Sequence, residues 1–322
     1  MNRLRLFAAV LAAGLALAAC GQGSGSGDPA AYPSGPIRML VPYTAGGPTD
    51  IAARSLATYM ESTLGQTVVV ENEPGASGST AYHELLSSDP DGHTLSMTAL
   101  PTAVLNYLVN DVGYTREDFA PIGVITQVPS ALVVPATSSY ADLGALFADA
   151  RADPAKVTVG TPGATNTHAA ETRRITRLYD VPLTVLPFNG NQEVLTALLG
   201  GNTTAGFVNV SQDMLPSIES GALRVLAVGT EQRLPYLNGP TFVEQGYPEI
   251  TKSTTTFGVI APAGTPQPVI ARLEETMRAA SADAGVRQGL DERYVPGQFM
   301  GSAELAALFA ETEQTFRGVA GG

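Results

Sequence analysis

The chain has one cysteine and three histidines in 322 residues, and only two of its basic residues are lysines, Lys156 and Lys252. These shortages exclude a good deal. A lone cysteine, Cys20, can form no intrachain disulfide. Two lysines leave few positions for lysine chemistry. His83, His93 and His168 show no metal-ligand spacing, and His83-Glu84 stops short of HExxH because position 87 is Ser87. There is no GxxxxGK[ST] phosphate loop, no GxSxG nucleophile elbow and no CxxC pair. The sequence therefore points to no metal and no cofactor. Positive charge is scarce as well: 18 basic against 30 acidic residues give a formal charge of −12. That balance argues against nucleic acid and against an anionic membrane surface as partner. Beyond the first twenty residues no apolar run is long enough to cross a bilayer.

What is present begins with an address. Arg3 and Arg5 precede an apolar run over 6–17, and Leu17-Ala18-Ala19-Cys20 closes it. The run is too short to span a membrane and has the layout of a secretory signal. Its end resembles the lipobox of bacterial lipoproteins, which implies a signal peptide over 1–19, cleavage before Cys20 and lipidation of its sulfur. The body would then be an exported, membrane-anchored protein on the extracytoplasmic side. GQGSGSG at 21–27 reads as a flexible tether, so residues 20–35 are expected to link anchor to fold. Without the leader, 16 basic and 30 acidic residues leave a charge of −14.

From residue 36 onward strand-like and helix-like segments alternate. Strands are predicted over 37–42, 67–70, 93–98, 157–160, 183–188, 205–210, 223–228 and 257–261. Helices are predicted over 51–64, 80–86, 102–109, 141–150, 168–179, 193–199, 213–219, 268–280 and 303–316, with Ser139 and Asp142 placed like an N-cap pair. Strands separated by helices imply open, mostly parallel α/β sheets covered on both faces. The body is too long for one sheet. Two apolar stretches without helical punctuation, 121–135 and 254–262, are the natural crossovers. The expected division is a first lobe from 36–125 and 255–322 and a second from 126–254, with a cleft between them and hinge closure across it.

The loops after the strands carry the chemistry. VPYTAGGPTDIAAR (41–54) runs from a strand end through Gly46-Gly47 into a helix with Pro48 at its first position and Asp50 in its first turn. Orphan N–H groups at such a helix start can hold an anion, although an ordinary strand-to-helix turn would look the same. The device recurs at 74–79 (PGASGS), at Pro101-Thr102 and at 161–167 (TPGATNT), and Phe188-Asn189-Gly190-Asn191 and Asn209-Val210-Ser211 also follow strands. Loops at strand carboxyl ends share one crevice in open sheets. All are rich in small neutral hydrogen-bonding residues. Among the histidines only His168 is placed to face the cleft, or else to hold its loop. Asp50 could meet a ligand amine or cap its helix.

The segments VPYTAGGPTDIAAR, ENEPGASGSTAYHELLSSDPDGHTL, YTREDFAPIGVI, GTPGATNTHAAE, LPFNGNQEVLTALLGGNTTAGFVNV, ESGALRVLAVGTEQRLPYL and FGVIAPAGTP resemble, in order, the tripartite tricarboxylate transporter substrate-binding proteins, the Bug family. The resemblance implies a two-lobed Venus-flytrap receptor of the periplasmic-binding type that grips a small carboxylate from both lobes. It places Tyr43, Thr44, Gly46, Gly47 and Asp50 at the first-lobe site, with Ser77, Gly78 and Thr102 nearby. From the second lobe it places Thr161, Gly163, Thr165, Thr167, His168 and Asn209. Two departures stand out: Asn189 replaces the basic residue of a frequent VPYKG, and Val208 the carboxylate of a frequent F-D-N. Both lean away from amino acids, towards a carboxylate with a less polar remainder.

Three functions follow as alternatives. A solute-binding receptor would deliver a carboxylate to the permease subunits of a membrane transporter, working as a monomer without catalysis. The same receptor could instead act on a sensor kinase. An enzyme on this scaffold would have to use His168 and Asp50 as its acid–base pair.

Overall fold

The computed structural model describes residues 32–317 apart from Lys252. Cys20, the leader expected over 1–19 and most of the tether lie outside the described residues. Among the described residues ten strands form two five-stranded sheets. The first contains β1 (Ile37–Val41), β2 (Val68–Asn72), β3 (Thr94–Leu100), β4 (Phe119–Val128) and β10 (Thr255–Pro262), in the order β2-β1-β3-β10-β4. The second contains β5 (Ser130–Pro135), β6 (Thr158–Thr161), β7 (Thr184–Pro187), β8 (Ala205–Asn209) and β9 (Leu223–Val228), in the order β7-β6-β8-β5-β9.

The parallel expectation holds for all but one strand of each sheet. β1 pairs parallel with β2 and β3, and β6 with β7 and β8. β10 runs antiparallel between β3 and β4, and β5 antiparallel between β8 and β9. The reason is how these two strands are reached. A strand that returns to its own sheet through a helix comes out parallel, because the helix carries the chain back to the edge from which the previous strand started. β5 and β10 instead arrive from the other sheet, so nothing imposes that direction. The apolar stretch at 121–135 is accordingly two strands in different sheets, joined at Pro129, which has no N–H to continue either ladder. The stretch at 254–262 is β10 itself.

Helices flank both sheets: α1 (Pro48–Leu64), α2 (Ser79–Leu86), α3 (Thr102–Val109), α4 (Leu143–Ala152), α5 (Thr167–Tyr179), α6 (Asn191–Leu199), α7 (Leu215–Glu219), α8 (Gln267–Ala282), α9 (Ala284–Leu290) and α10 (Ser302–Arg317). α1 shows why they form where they do. Pro48 starts it, Ala53, Leu56, Ala57 and Met60 give it a buried stripe, and Gly65 ends it in the left-handed region at φ 68°. In α4, Asp142 supplies the cap expected of it, accepting from the Ala145 N–H at 2.8 Å. α9 was not predicted, since Gly285 and Gly289 weaken its helical signal; the Asp283 side chain starts it by accepting from Gly285 and Val286 N–H. Each sheet has its own core. Leu40, Tyr82, Leu85, Val104, Ile260 and Phe309 pack in the first, and Leu132, Phe147, Val159, Ile175, Phe207 and Phe242 in the second. Among the described residues no helix is long and apolar enough to cross a membrane.

Packing across the first sheet is tight at Gly258 in β10. A Cβ there would lie 2.7 Å from the Gly123 carbonyl oxygen and 2.9 Å from Leu305 Cδ2. The backbone oxygen cannot rotate away. Gly258→Ala is expected to cost about 1–3 kcal/mol, read as a lower midpoint in urea denaturation; an unchanged midpoint would contradict this packing.

Candidate ligand-binding site

A cleft lies between the two sheets, with about 360 Å³ of space free of protein atoms, part of it open to solvent. Its walls are the strand ends and the helix starts that follow them. Tyr43, Gly47, Pro48 and Thr49 come from the β1–α1 junction, and Ala99 and Thr102 from β3–α3. From the second lobe come Pro162, Asn166 and His168 at β6–α5, Asn191 at the start of α6, and Asn209 at the end of β8. Thr255 and Phe257 complete it from the first turn of β10. Because β10 runs against its neighbours, its beginning sits at the edge where theirs end. Phe257 is paired with Ala99 in the ladder, which brings both side chains to the same wall.

Four helices, α1, α3, α5 and α6, thus direct their N-termini at one cleft. α1, α3 and α6 have no side-chain cap on the Ncap residue, so their first N–H groups are not spoken for by a cap. Among the described lining residues none is Asp, Glu, Lys or Arg. The helix dipoles and oriented N–H groups that face the cleft favour an anion.

The lobes are closed upon each other. The Thr167 N–H donates to Thr102 Oγ1 at 3.3 Å, the Thr165 N–H to Ser77 Oγ at 3.2 Å and Thr165 Oγ1 to Asn106 Oδ1 at 2.9 Å. On the opposite rim Gln192 Nε2 donates to the Gly46 carbonyl at 3.3 Å, and the Thr44 N–H points at the Asn189 carbonyl at 3.4 Å. Gly163 allows close approach: at φ 144° its Cβ position lies 2.9 Å from Ser77 Oγ.

Asp50 is used behind the wall. Its carboxylate accepts from the Gly46 N–H at 2.9 Å, from Asn72 Nδ2 at 2.9 Å and from Arg54 Nε at 3.0 Å. Burial would raise its pKa, but these donors outweigh burial and hold the carboxyl below its ordinary value. Asp50 fixes the glycine turn and does not line the cleft. The same bond spends the Gly46 N–H, so the donors left for a ligand at α1 are Gly47 and those after Pro48, which has no N–H.

His168 is 3% exposed and has a defined proton. Its Nε2 lies 2.9 Å from Ser130 Oγ, whose own hydrogen goes to the Ser253 carbonyl. Ser130 Oγ must then accept from His168, so the ring is the Nε2–H tautomer. Asn209 Nδ2 also donates to Ser130 Oγ, at 3.2 Å, and to Thr255 Oγ1 at 2.9 Å. Burial pushes the imidazole down to about 3, so it is neutral near pH 7.

Of the fourteen residues singled out in the sequence, Tyr43, Gly47, Thr102, His168 and Asn209 line the cleft. Thr44, Gly46, Ser77, Gly163, Thr165 and Thr167 form or border the closure contacts. Asp50, Gly78 and Thr161 lie behind. Gly78 packs on Pro42 and Tyr82, and Thr161 Oγ1 holds the following turn through the Gly163 carbonyl at 2.8 Å. Sequence reasoning did not single out Asn166, Thr255 or Phe257, nor the side chain of Asn191. The glycine before Asn191 was the one signal for it.

Fold and site together define a two-lobed solute-binding protein. The family model described as tripartite tricarboxylate transporter family receptor matches residues 52–319, and the chain belongs to that family, one of binding receptors and not of enzymes. It is 34% identical to Protein BugT of Bordetella pertussis over 87% of this chain and 85% of that one. It is 33% identical, with the same coverages, to a UPF0065 protein in the gbd 5′ region of Cupriavidus necator. Among solved structures it is similar to malate-bound MatC of Rhodopseudomonas palustris, with a TM-score of 0.83, 28% identity and 90% and 100% of the two chains covered. An adipate-bound protein of R. palustris gives the same score and identity over 90% and 97%.

The depressed histidine has a signed consequence. Between pH 6.5 and 3 the unfolded chain binds a proton at His168 that the folded chain does not, so this contribution is complete above pH 6.5 and is lost as pH falls. The loss steepens from about 0.7 kcal/mol per pH unit at pH 6.5 to about 1.3 per unit at pH 5. Urea denaturation at several pH values should show this slope and a flatter profile for His168→Gln; equal slopes would refute a neutral buried imidazole.

Proposed function

We propose that this protein captures a small organic carboxylate between its lobes and delivers it to the permease subunits of a tripartite tricarboxylate-type transporter in the membrane. The observation that carries the reading is the convergence of uncapped helix N-termini on a cleft whose described walls hold no charged side chain. Such donors bind an anion by geometry and need no counter-charge. The two relatives with malate and adipate bound support the ligand class. In this reading the chain is exported, held to the membrane by a lipid on Cys20, and works as a monomer. Its lobes are taken near the expected bounds, 36–125 with 255–322 and 126–254, with β4 carrying the first lobe on to Val128. The ligand, bound first to one lobe, brings the other down by hinge motion and leaves when the permease reopens the pair. Walls of Tyr43, Ala99, Pro162 and Phe257 suit a remainder less polar than that of an amino acid.

Thermal-shift screening of di- and tricarboxylates, aromatic acids and amino acids tests the reading. A ligand at about a hundred times its Kd adds roughly 2.7 kcal/mol of stability, so a clear rise in Tm is expected for a carboxylate; a flat response across the panel would sink the proposal.

Closure itself is tested at Gly190. Its φ of 174° is open to any residue, but an added Cβ would lie 2.4 Å from Thr44 Oγ1 on the other lobe. Gly190→Ala should leave the unliganded fold intact and weaken the best carboxylate in calorimetric titration by at least about five-fold. Unchanged affinity would mean that binding does not require this closed pair.

A further inference from the structure

The cleft walls hold two buried hydrogen-bond acceptors that a carboxylate cannot satisfy, and their orientation is fixed by the groups behind them. Asn191 is 3% exposed. Its Nδ2 faces the Asn209 carbonyl at 3.1 Å, Ser211 Oγ at 3.4 Å and the Asp213 carboxylate at 3.2 Å. Ser211 spends its own hydrogen on Asp213. All three neighbours are acceptors here, so the amide nitrogen must stay on their side; the flipped amide would set oxygen against oxygen. Asn191 Oδ1 is thereby turned away from them, and it is buried without a partner. His168 is fixed in the same manner. With its hydrogen on Nε2 directed at Ser130, its Nδ1 carries only a lone pair, and it too is buried without a partner. Both residues line the cleft, from the starts of two different helices.

We propose that the ligand carries a neutral hydrogen-bond donor, a hydroxyl, beside its carboxylate, and that His168 Nδ1 and Asn191 Oδ1 select for it. This inference rests on the carboxylate reading above. A carboxylate satisfies N–H groups at the helix starts, but towards a bare imidazole nitrogen or amide oxygen it is only another acceptor. A hydroxyl on the ligand provides the missing hydrogen. An ammonium also brings hydrogens, yet the helix N-termini oppose its charge, and the carboxylates behind the walls, Asp50 and Asp213, are spent on other donors. A site built to hydrogen-bond a ligand hydroxyl rejects the analogue that lacks it, because its buried polar groups are then left unpaired.

The test is calorimetric titration of the full chain with matched acids: malate, succinate and aspartate, and 3-phenyllactate, 3-phenylpropionate and phenylalanine. In whichever series binds, the hydroxy acid is expected to bind at least ten-fold more tightly than the deoxy acid and more tightly than the amino acid. His168→Phe and Asn191→Leu should each bring the hydroxy-to-deoxy ratio towards one, whatever happens to the affinity for the deoxy acid itself. Should either variant fail to fold, the ratio in the unaltered protein decides. A deoxy acid bound as tightly as its hydroxy partner would overturn the inference and leave the carboxylate reading standing. An amino acid bound most tightly would overturn the neutral-donor assignment. No response to these acids or to any carboxylate of the wider panel would overturn the reading and the inference together.

Discussion

A carboxylate in this cleft has to be neutralised by partial charges, since among the described lining residues no lysine or arginine reaches it. Partial charges on N–H groups are effective only at contact and only where water is excluded, because water screens them and competes for the same anion. The other features of the site follow from that constraint. The donors must be held rigidly, which the helix starts do, and water must be kept out, which the second lobe does where it meets the first. The body's net negative charge is no obstacle at contact range, since salt damps it beyond about 8 Å.

The closure contacts are built from small neutral groups for the same reason. Thr167 with Thr102, Thr165 with Asn106 and Ser77, and Gln192 with Gly46 are hydrogen bonds between uncharged partners. Each is worth little net against water. They can form and break with the lobes, whereas buried ion pairs would lock them. The polar groups at the crossings are of the same kind. Ser130 follows Pro129 at one crossing, Ser253 precedes β10 at the other, and their hydrogen bond joins the two strands where the chain passes between sheets. His168 and Asn209 are hydrogen-bonded to Ser130, so residues facing the cleft are anchored on the segments that join the two sheets.

Much of the fold was legible locally. The helix at 102–109 and the strand at 223–228 fall where periodicity puts them, and Asp142 caps its helix as its position suggests. Pro48 after Gly46-Gly47 marks a helix start that the structure uses at the cleft. What was not legible depends on contacts distant in sequence. Apolar runs at 121–135 and 254–262 say that strands are buried, but carry no sign of direction. The antiparallel insertion of β5 and β10 is a matter of which sheet each arrives from. Thr255, Phe257 and Ser130 reach the cleft or its support only because of that reversal.

Asp50 and Asn191 mark the same boundary from two sides. A carboxylate in the first turn of a helix can bind a ligand or hold its own loop, and the sequence around Asp50 allows both; Asn72, some twenty residues on, decides for the loop. Asn191 sits in an unremarkable N-G-N, and its bare oxygen exists because Asp213 and Ser211 hold the amide nitrogen from another strand end. By itself the sequence determined the alternation of elements, the family, the neutral character of the loops and the helix starts that can hold an anion, all properties of neighbours along the chain. Which donors are spent, which acceptors stay bare and which residues meet across the lobes only the tertiary structure decided, because a hydrogen-bonding group is available or occupied according to what the rest of the chain brings beside it.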